Sequence, residues 1–344
     1  MSGLNMAESA PLIEVEDLKV VFMSRMGELE AVRGISFRVE RGQVFGLAGE
    51  SGSGKSVAML AVMGLLPPNA VVTGSVRFNG VELLGLSSRE LSSIRGAQLA
   101  MVFQDPLTAL NPVIKVGQQV MEAIKLHNRH LSRREIESRA EALFDLVSIP
   151  QPAQRLKQYP HEFSGGMRQR AMIAMAMAND PELLIADEPT TALDVTVQAQ
   201  ILQVLENLRE ATGIGVILIT HDLGMIASTA HTVTVMYAGG IVESGVVDDV
   251  FYGSRHPYTQ GLLASLPKID QEEEKLFSID GAPPSLHFLP SGCAFHPRCV
   301  HVKRECLTEE PVLRSVDKVL SACHLAESLQ NSPIIREENE TVER

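Results

Sequence analysis

Residues 49–56 read Gly-Glu-Ser-Gly-Ser-Gly-Lys-Ser, a G-x-x-x-x-G-K-[ST] pattern that constrains what surrounds it. The apolar run of residues 43–48 predicts a buried strand before it, and residues 57–66 predict a buried helix after it. A strand, a glycine-rich turn and a helix in this order direct backbone N–H groups and a helix N-terminus at one anion. We therefore predict a phosphate-binding loop in which Lys55 neutralises the β- and γ-phosphates and the Ser56 hydroxyl ligates Mg²⁺. The other predicted nucleotide contacts of the loop are Gly49, Glu50, Ser51, Gly52, Ser53 and Gly54.

Composition narrows the class of protein. The chain has 344 residues, long enough for one large or two smaller domains, and a formal net charge of −12. That charge argues against non-specific nucleic-acid binding, which needs a basic face. No apolar stretch approaches the roughly 18 residues that span a bilayer. The N-terminus lacks the basic and apolar regions of a secretory signal, so we expect the chain to stay in the cytosol.

Polar groups follow two short apolar runs that have the character of central parallel strands. Asp187 and Glu188 follow residues 183–186, and His221 follows residues 216–220. Ligands bind at the carboxyl ends of such strands. We therefore expect Asp187 to orient Mg²⁺, Glu188 to act as general base or to position water, and His221 to contact the γ-phosphate. The alternatives are a pair of solvated loop acids and a structural histidine.

Two further segments carry weaker signals. Residues 12–22 and 31–39 alternate as strands ahead of the loop, and Phe22 at the end of the first could stack on a base or be an ordinary core residue. Ser164 is a good N-cap for the helix predicted over residues 171–178. Gly165 and Gly166 at that helix start would permit close approach of an anion, although many helices begin in this way.

Six motifs in one order resemble the nucleotide-binding subunits of ABC transporters over about residues 12–265. They are the phosphate loop, Gln104, Ser164–Gly166, Asp187-Glu188, the Ala-Leu-Asp of residues 192–194, and His221. The resemblance implies an α/β fold: a P-loop NTPase cassette with a RecA-like core, an antiparallel β subdomain and a helical subdomain over about residues 107–178.

The same resemblance assigns a role to each motif. Phe22 would stack on adenine, and Gln104 would be the Q-loop glutamine that senses Mg²⁺ and the γ-phosphate. Ser164, Gly165 and Gly166 would be the signature that caps the ATP of a second chain in a head-to-tail dimer. The family signature is usually LSGGQ, whereas here Phe163 and Met167 flank the Ser-Gly-Gly core. Asp194 would belong to the D-loop and His221 to the switch.

The C-terminal part resembles the oligopeptide/dipeptide importer ATPases through residues 255–259 (RHPYT), 262–267 and 292–299. We expect residues 266–330 to form a small cysteine-rich extension, and the polar, acidic residues 331–344 to be disordered. Four cysteines in this part have C-x5-C-x6-C-x16-C spacing. Chemistry leaves zinc, an iron–sulfur cluster and inert buried thiols open. The resemblance favours a [4Fe–4S] cluster on Cys293, Cys299, Cys306 and Cys323.

The resemblance implies an ATPase that powers import of di- or oligopeptides. Its partners would be a second homologous ATPase in a heterodimer, two transmembrane permease subunits and an extracytoplasmic peptide-binding protein, with no nucleic acid. It would lie peripherally on the cytoplasmic face of the plasma (inner) membrane. The alternatives are an exporter ATPase, an importer ATPase for nickel or a glycoside, and a soluble ABC ATPase that acts on DNA or ribosomes.

Overall fold

The computed structural model describes residues 10–25, 27–105, 109–191, 193–266 and 278–329. The tail predicted to be disordered, residues 331–344, lies outside these ranges. The strands are β1 (Ile13–Ser24), β2 (Gly27–Val39), β3 (Val44–Ala48), β4 (Ala70–Phe78), β5 (Val81–Glu82), β6 (Leu99–Val102), β7 (Leu183–Asp187), β8 (Gly215–Thr220), β9 (Thr232–Tyr237), β10 (Gly240–Val246), β11 (Arg314–Val316) and β12 (Val319–Ser321). The α-helices are α1 (Lys55–Val62), α2 (Ser88–Ile94), α3 (Val116–His127), α4 (Arg133–Leu146), α5 (Pro152–Arg155), α6 (Gly165–Ala176), α7 (Val195–Thr212), α8 (Leu223–Thr229), α9 (Val247–Gly253) and α10 (Pro257–Ala264).

The central sheet has eight strands in the order β11-β12-β10-β9-β3-β8-β7-β6. Strands β9, β3, β8, β7 and β6 run parallel to one another, whereas β10 pairs antiparallel with β9. Every residue of β3, β7 and β8 is buried, as expected for strands covered on both faces. The carboxyl ends of these three strands lead directly into the phosphate loop, the Asp187-Glu188 pair and His221.

An antiparallel sheet of four strands, β2-β1-β4-β5, covers one face of the central sheet. Apolar side chains of β1, including Leu18 and Val20, share a buried cluster with Met59 and Val62 of α1 and with Ile217 of β8. The loop helix is therefore held between the two sheets. This layer is the β subdomain that the resemblance implies.

Helices cover the opposite face. Val120 of α3, Phe144 of α4 and Ile173 of α6 pack in one cluster with Leu184 and Leu218 from the central sheet. Helix α4 begins at a capping box, in which Ser132 accepts from the backbone N–H of Glu135. Helices α3 and α4 thus lie within the range of about residues 107–178 that we expect to be helical.

The bounds of some predicted elements differ from the structure. The helix predicted at 57–66 begins earlier, at Lys55, and ends at Val62, where Gly64 adopts a φ of 59° that stops the helix. Strands β9 and β10 pair antiparallel, and β10 also pairs with β12. The C-terminal part thus adds two strands to the central sheet, which the sequence did not lead us to expect.

Across the part of the chain that the structure describes, no helix combines the length and the hydropathy of a membrane span.

Candidate functional site

The phosphate loop curls tightly because glycine stands at its turning points. Gly49, Gly52 and Gly54 have φ values of 146°, 80° and 99°. A Cβ on Gly49 would lie 2.3 Å from the Met236 carbonyl oxygen, and one on Gly54 would lie 2.6 Å from the Ala31 carbonyl oxygen. The loop is therefore packed against β9 and β2, and two of its glycines cannot carry a side chain without displacing backbone.

Lys55 is buried within the loop, with 5% of its surface exposed. Its ammonium group donates to the carbonyl oxygens of Gly49 at 2.7 Å and Glu50 at 2.9 Å, and lies 3.3 Å from Ser53 Oγ. Burial lowers the pKa of Lys55, while the carboxylates of Glu188, Asp187 and Glu50 oppose that shift. The loop therefore concentrates a cation where phosphate oxygens are expected to bind.

Ser56 and Asp187 meet across the sheet edge. The Ser56 hydroxyl donates to Asp187 Oδ1 at 2.9 Å. Burial raises the pKa of Asp187, whose residue surface is 5% exposed, and the hydrogen bond from Ser56 lowers it. A hydroxyl and a carboxylate are the hard oxygen ligands that Mg²⁺ prefers, so this pair fits the ion that the loop pattern implies.

Glu188 lies at the centre of a polar cluster and is 13% exposed in its side chain. Its Oε2 accepts from Gln104 Nε2 at 2.9 Å and from the Thr191 hydroxyl at 2.8 Å. His221 Nδ1 lies 3.4 Å from Oε1, although the His221 side chain is 60% exposed. The backbone φ of Glu188 is 45°, a conformation that non-glycine residues seldom adopt outside constrained sites. The structure therefore brings together Gln104, Glu188 and His221, which the sequence had assigned to one site.

Sequence reasoning missed Thr191 as a partner of Glu188. It lies three residues later in the turn after β7, and its backbone N–H also donates to the Glu188 carbonyl oxygen at 3.2 Å. A threonine in a turn carries no distinctive signal of its own, because hydroxyl groups in turns commonly bond to the local backbone.

The predicted signature lies on a different helix. Ser164 is exposed and caps α6 by accepting from the Met167 backbone N–H at 3.3 Å. Gly166 lies against α7, where a Cβ on it would lie 2.5 Å from Val197 Cγ1, and a Cβ on Gly165 would lie 3.2 Å from Leu193 Cδ2, just before α7. Among the described residues, no hydrogen bond recorded for Ser164 reaches the phosphate loop, so the structure does not join these two motifs within one chain.

Asp194 and Phe22 complete the predicted set. Asp194 is exposed and caps α7 by accepting from the Val197 backbone N–H at 2.9 Å. Phe22 lies near the end of β1, opposite Leu29 and Ala70 on the neighbouring strands. It is partly buried against the apolar cluster beneath the antiparallel sheet. Its proposed stacking on adenine stays a prediction, as do the catalytic roles of the other residues.

Two residues of the C-terminal part contact the phosphate loop, and neither was predicted to do so. The Glu50 backbone N–H donates to Tyr258 Oη at 2.8 Å. The Glu50 carboxylate accepts two hydrogen bonds from Arg298, at 2.7 and 3.0 Å. Both residues lie in segments that we singled out for family resemblance, but nothing in their spacing indicated a contact more than 200 residues back along the chain.

The predicted [4Fe–4S] cluster is wrong. Within residues 10–25, 27–105, 109–191, 193–266 and 278–329, no group of three or more His, Cys, Asp or Glu side chains could hold a metal ion. All four cysteines are described, and all are free: Cys306 and Cys323 are buried, and Cys293 and Cys299 are partly buried. Burial raises the pKa of the Cys293 thiol, and it raises the pKa of Cys299 to about 11 and that of Cys323 to about 12. These shifts disfavour the thiolate forms that bind metals. Burial thus suits them to packing as small apolar residues.

Comparison with known families gives two matches along the chain. A model of the ABC transporter family matches residues 32–191, and a model of the oligopeptide/dipeptide transporter C-terminal region matches residues 242–306. The first match spans the loop, Gln104, the signature and the Asp187-Glu188 pair. The second spans most of β10, all of α10 and three of the four cysteines.

Several curated relatives align with most of this chain. The oligopeptide transport ATP-binding protein OppD of Mycobacterium tuberculosis is 55% identical over 308 residues, which are 89% of this chain and 50% of that protein. The chain thus spans about half the length of this mycobacterial relative. OppD of Bacillus subtilis is 48% identical over 89% of this chain and 86% of its own length. The dipeptide transport ATP-binding protein DppD of Escherichia coli is 48% identical over 91% and 96%, respectively.

Solved structures share the fold. A dimeric ATP-binding cassette in a post-hydrolysis state, bound to ADP and Pi, superimposes with a TM-score of 0.62 at 25% identity, covering 68% of this chain and 98% of that one. CbiO1 of Clostridium perfringens, part of an ABC transporter complex, gives a TM-score of 0.60 at 27% identity, covering 70% and 90%.

Proposed function

This chain belongs to the oligopeptide/dipeptide branch of the ABC transporter ATP-binding proteins, and on that premise we propose that it hydrolyses ATP to power the import of di- or oligopeptides. One observation carries the ATPase part of the proposal. The phosphate loop, the Ser56–Asp187 pair and the cluster of Glu188 with Gln104 and His221 converge on one edge of the central sheet. Ligands bind at that edge in α/β folds.

Each of these groups has a chemical task in the proposal. Lys55 neutralises negative charge on the β- and γ-phosphates, and its buried position strengthens that interaction. Mg²⁺ held by Ser56 and Asp187 would neutralise further phosphate charge as a Lewis acid. Gln104 and Thr191 hold the Glu188 carboxylate in place by hydrogen bonds. That carboxylate accepts a proton from the attacking water. His221 lies beside it, with its side chain open to an approaching γ-phosphate.

We propose further that the site is completed by a second chain. Ser164, Gly165 and Asp194 are exposed. The hydrogen bonds described for Ser164 and Asp194 cap α6 and α7, and neither reaches the phosphate loop. A head-to-tail dimer with a homologous ATPase would cover this surface and bring the signature to the partner's nucleotide. We expect a heterodimer.

The remaining partners follow from the branch to which the chain belongs. Two transmembrane permease subunits would hold the ATPase dimer peripherally at the cytoplasmic face of the plasma (inner) membrane. An extracytoplasmic binding protein would deliver the peptide. The division of the chain into a cassette over 12–265 and an extension over 266–330 is also part of the proposal, and pairing of β12 with β10 makes that extension continuous with the cassette.

Purification of the tagged chain from membranes tests this function. We expect two permease subunits and a second ATPase to co-purify, and the reconstituted complex to hydrolyse ATP faster when its binding protein carries an oligopeptide. Co-purification with ribosomal or DNA-repair proteins, without permeases, would contradict the transport role. Stimulation by a nickel- or glycoside-loaded binding protein, with none by peptide, would contradict the peptide substrate.

A further inference from the structure

Glu50, the second residue of the phosphate loop, is held at three points. Its backbone N–H donates to Tyr258 Oη at 2.8 Å, and its carboxylate accepts both terminal nitrogens of Arg298 at 2.7 and 3.0 Å. Its carbonyl oxygen accepts from the Lys55 ammonium at 2.9 Å. One loop residue therefore links the lysine of the nucleotide site to the C-terminal part of the chain.

Arg298 is fixed far more firmly than a surface arginine. Its side chain is 5% exposed, and its guanidinium carbon lies 5.9 Å from the ring centroids of both Tyr237 and Phe295. Its Nε donates to the Asp280 carbonyl oxygen at 3.0 Å, and Nη2 donates to that of Ile279 at 3.3 Å. Burial lowers the pKa of Arg298, but hydrogen bonds from it to Glu50 and Tyr237 raise that pKa overall. The pair is thus a sheltered, bidentate contact, the type of ion pair that loses most when one partner is removed.

The charge of Glu50 makes this contact relevant to the nucleotide. A carboxylate in a loop that receives a triphosphate repels the phosphates unless a cation neutralises it. Arg298 supplies that cation from 248 residues further along the chain. In the described part of the chain, the ion pair recorded for Glu50 is with Arg298.

We propose that Arg298 is a positioning residue for the nucleotide: it neutralises and fixes Glu50, so that the C-terminal part of the chain sets the affinity of the phosphate loop for ATP. This inference rests on the proposed function. It extends that function by giving the C-terminal part, beyond its two sheet strands, a direct influence on nucleotide binding.

Equilibrium titration of the full chain with MgATP tests the proposal in a set of variants. Arg298→Met and Arg298→Gln leave the Glu50 carboxylate uncompensated, and we expect about tenfold weaker binding. Arg298→Lys keeps the charge but loses the fork geometry, and we expect a loss within about threefold. The double variant Glu50→Gln with Arg298→Met removes both charges and should restore affinity to within about threefold of the wild type.

The double variant separates charge compensation from loss of the packing that Arg298 provides, because removing the carboxylate cannot replace the contacts of the guanidinium with Tyr237 and Phe295. Arg314→Met is the matched control: it breaks another bidentate ion pair of the C-terminal part, with Glu327 at 2.8 and 2.9 Å, and should leave MgATP affinity unchanged.

Three outcomes would overturn the proposal. They are wild-type affinity in folded Arg298→Met, a double variant as weak as Arg298→Met, and equal affinities in Arg298→Gln and Arg298→Lys. The last comparison decides the matter if Arg298→Met does not fold. A wild-type chain that binds no MgATP would instead overturn the proposed function, and the proposal with it.

Discussion

The Ser56 hydroxyl lies 2.9 Å from Asp187 Oδ1 and donates to it, joining segments that are 131 residues apart in the chain. This contact aligns the start of α1 with the end of β7. It places two hard oxygen ligands side by side at the sheet edge where Lys55 is also buried. We therefore expect this pair to determine how much Mg²⁺ strengthens nucleotide binding.

Substitution of Ser56 by Ala tests that dependence. We expect affinity for MgATP to fall about tenfold, while affinity for ATP measured with excess chelator changes much less, because the hydroxyl acts through the ion. Isothermal titration in the two conditions measures the difference. Ser93→Ala, which removes an exposed hydroxyl bonded to the Glu90 carbonyl oxygen, is the control and should change neither affinity. An equal loss with and without Mg²⁺ would argue against a metal-binding role for Ser56.

The packing of α6, the helix that begins at Gly165, gives a second prediction. A Cβ on Gly166 would lie 2.5 Å from Val197 Cγ1, so Gly166→Ala should force α6 and α7 apart. We expect a loss of about 1–3 kcal/mol in the free energy of unfolding, since overpacking costs this much and exceeds the gain in helix propensity. Denaturant unfolding measures the loss, and steady-state ATPase assays should show slower turnover.

A compensating change and a matched control sharpen this test. Val197→Ala removes both γ-carbons and should restore most of the stability of Gly166→Ala. Gly253→Ala has no heavy atom within 4 Å of the added Cβ and should be nearly neutral. Full stability in Gly166→Ala alone would show that the two helices are not in tight contact.

The burial of Glu243 on β10 leads us to predict that the stability of the fold depends on pH. It is fully buried, and burial raises its pKa from 4.5 to about 7, although the Arg255 backbone N–H donates to it. An acid whose pKa is higher in the folded state binds more protons folded than unfolded, so its contribution to stability falls as pH rises from about 4.5 to about 7.

Substitution of Glu243 by Gln, which mimics the protonated acid, should remove that fall. Relative to the wild type, we expect the variant to gain about 3 kcal/mol in unfolding free energy between about pH 4.5 and about pH 8. The comparison with the wild type matters because His256, whose pKa burial lowers to about 3, favours stability at higher pH in an overlapping window. The exposed Glu141→Gln is the control. A wild-type-to-variant difference that does not change with pH would refute the assignment.

Much of the site could be predicted because its motifs follow strands that the local sequence shows to be buried. The runs ending at Ala48, Asp187 and Thr220 are short and apolar, and parallel strands bring their carboxyl ends together. Contacts made by side chains across long sequence separations carry no such signal. The pairing of β12 with β10 and the bond between Arg298 and Glu50 depend on how the C-terminal part packs.

For the cysteines the prediction failed for a different reason, because a spacing pattern was given too specific a meaning. Spacing alone left metal binding and simple burial open, and the resemblance favoured a cluster. Cys323 instead shares an apolar cluster with Val316, Leu325, Ala326 and Leu329. Thr191 illustrates a third case, because a turn hydroxyl becomes meaningful only when the carboxylate beside it has been located.

The measurement that tests the central claim most directly is ATP binding and turnover in Glu188→Gln. Glu188 lies between Gln104, Thr191 and His221, and the amide keeps its size but removes the carboxylate that accepts the proton. We predict wild-type affinity for MgATP with turnover reduced about 100-fold to 10,000-fold, as expected for loss of a general base. Glu210→Gln, at an exposed position late in α7, should retain both properties. Turnover at the wild-type rate in folded Glu188→Gln would contradict the assignment of this site as the centre of ATP hydrolysis.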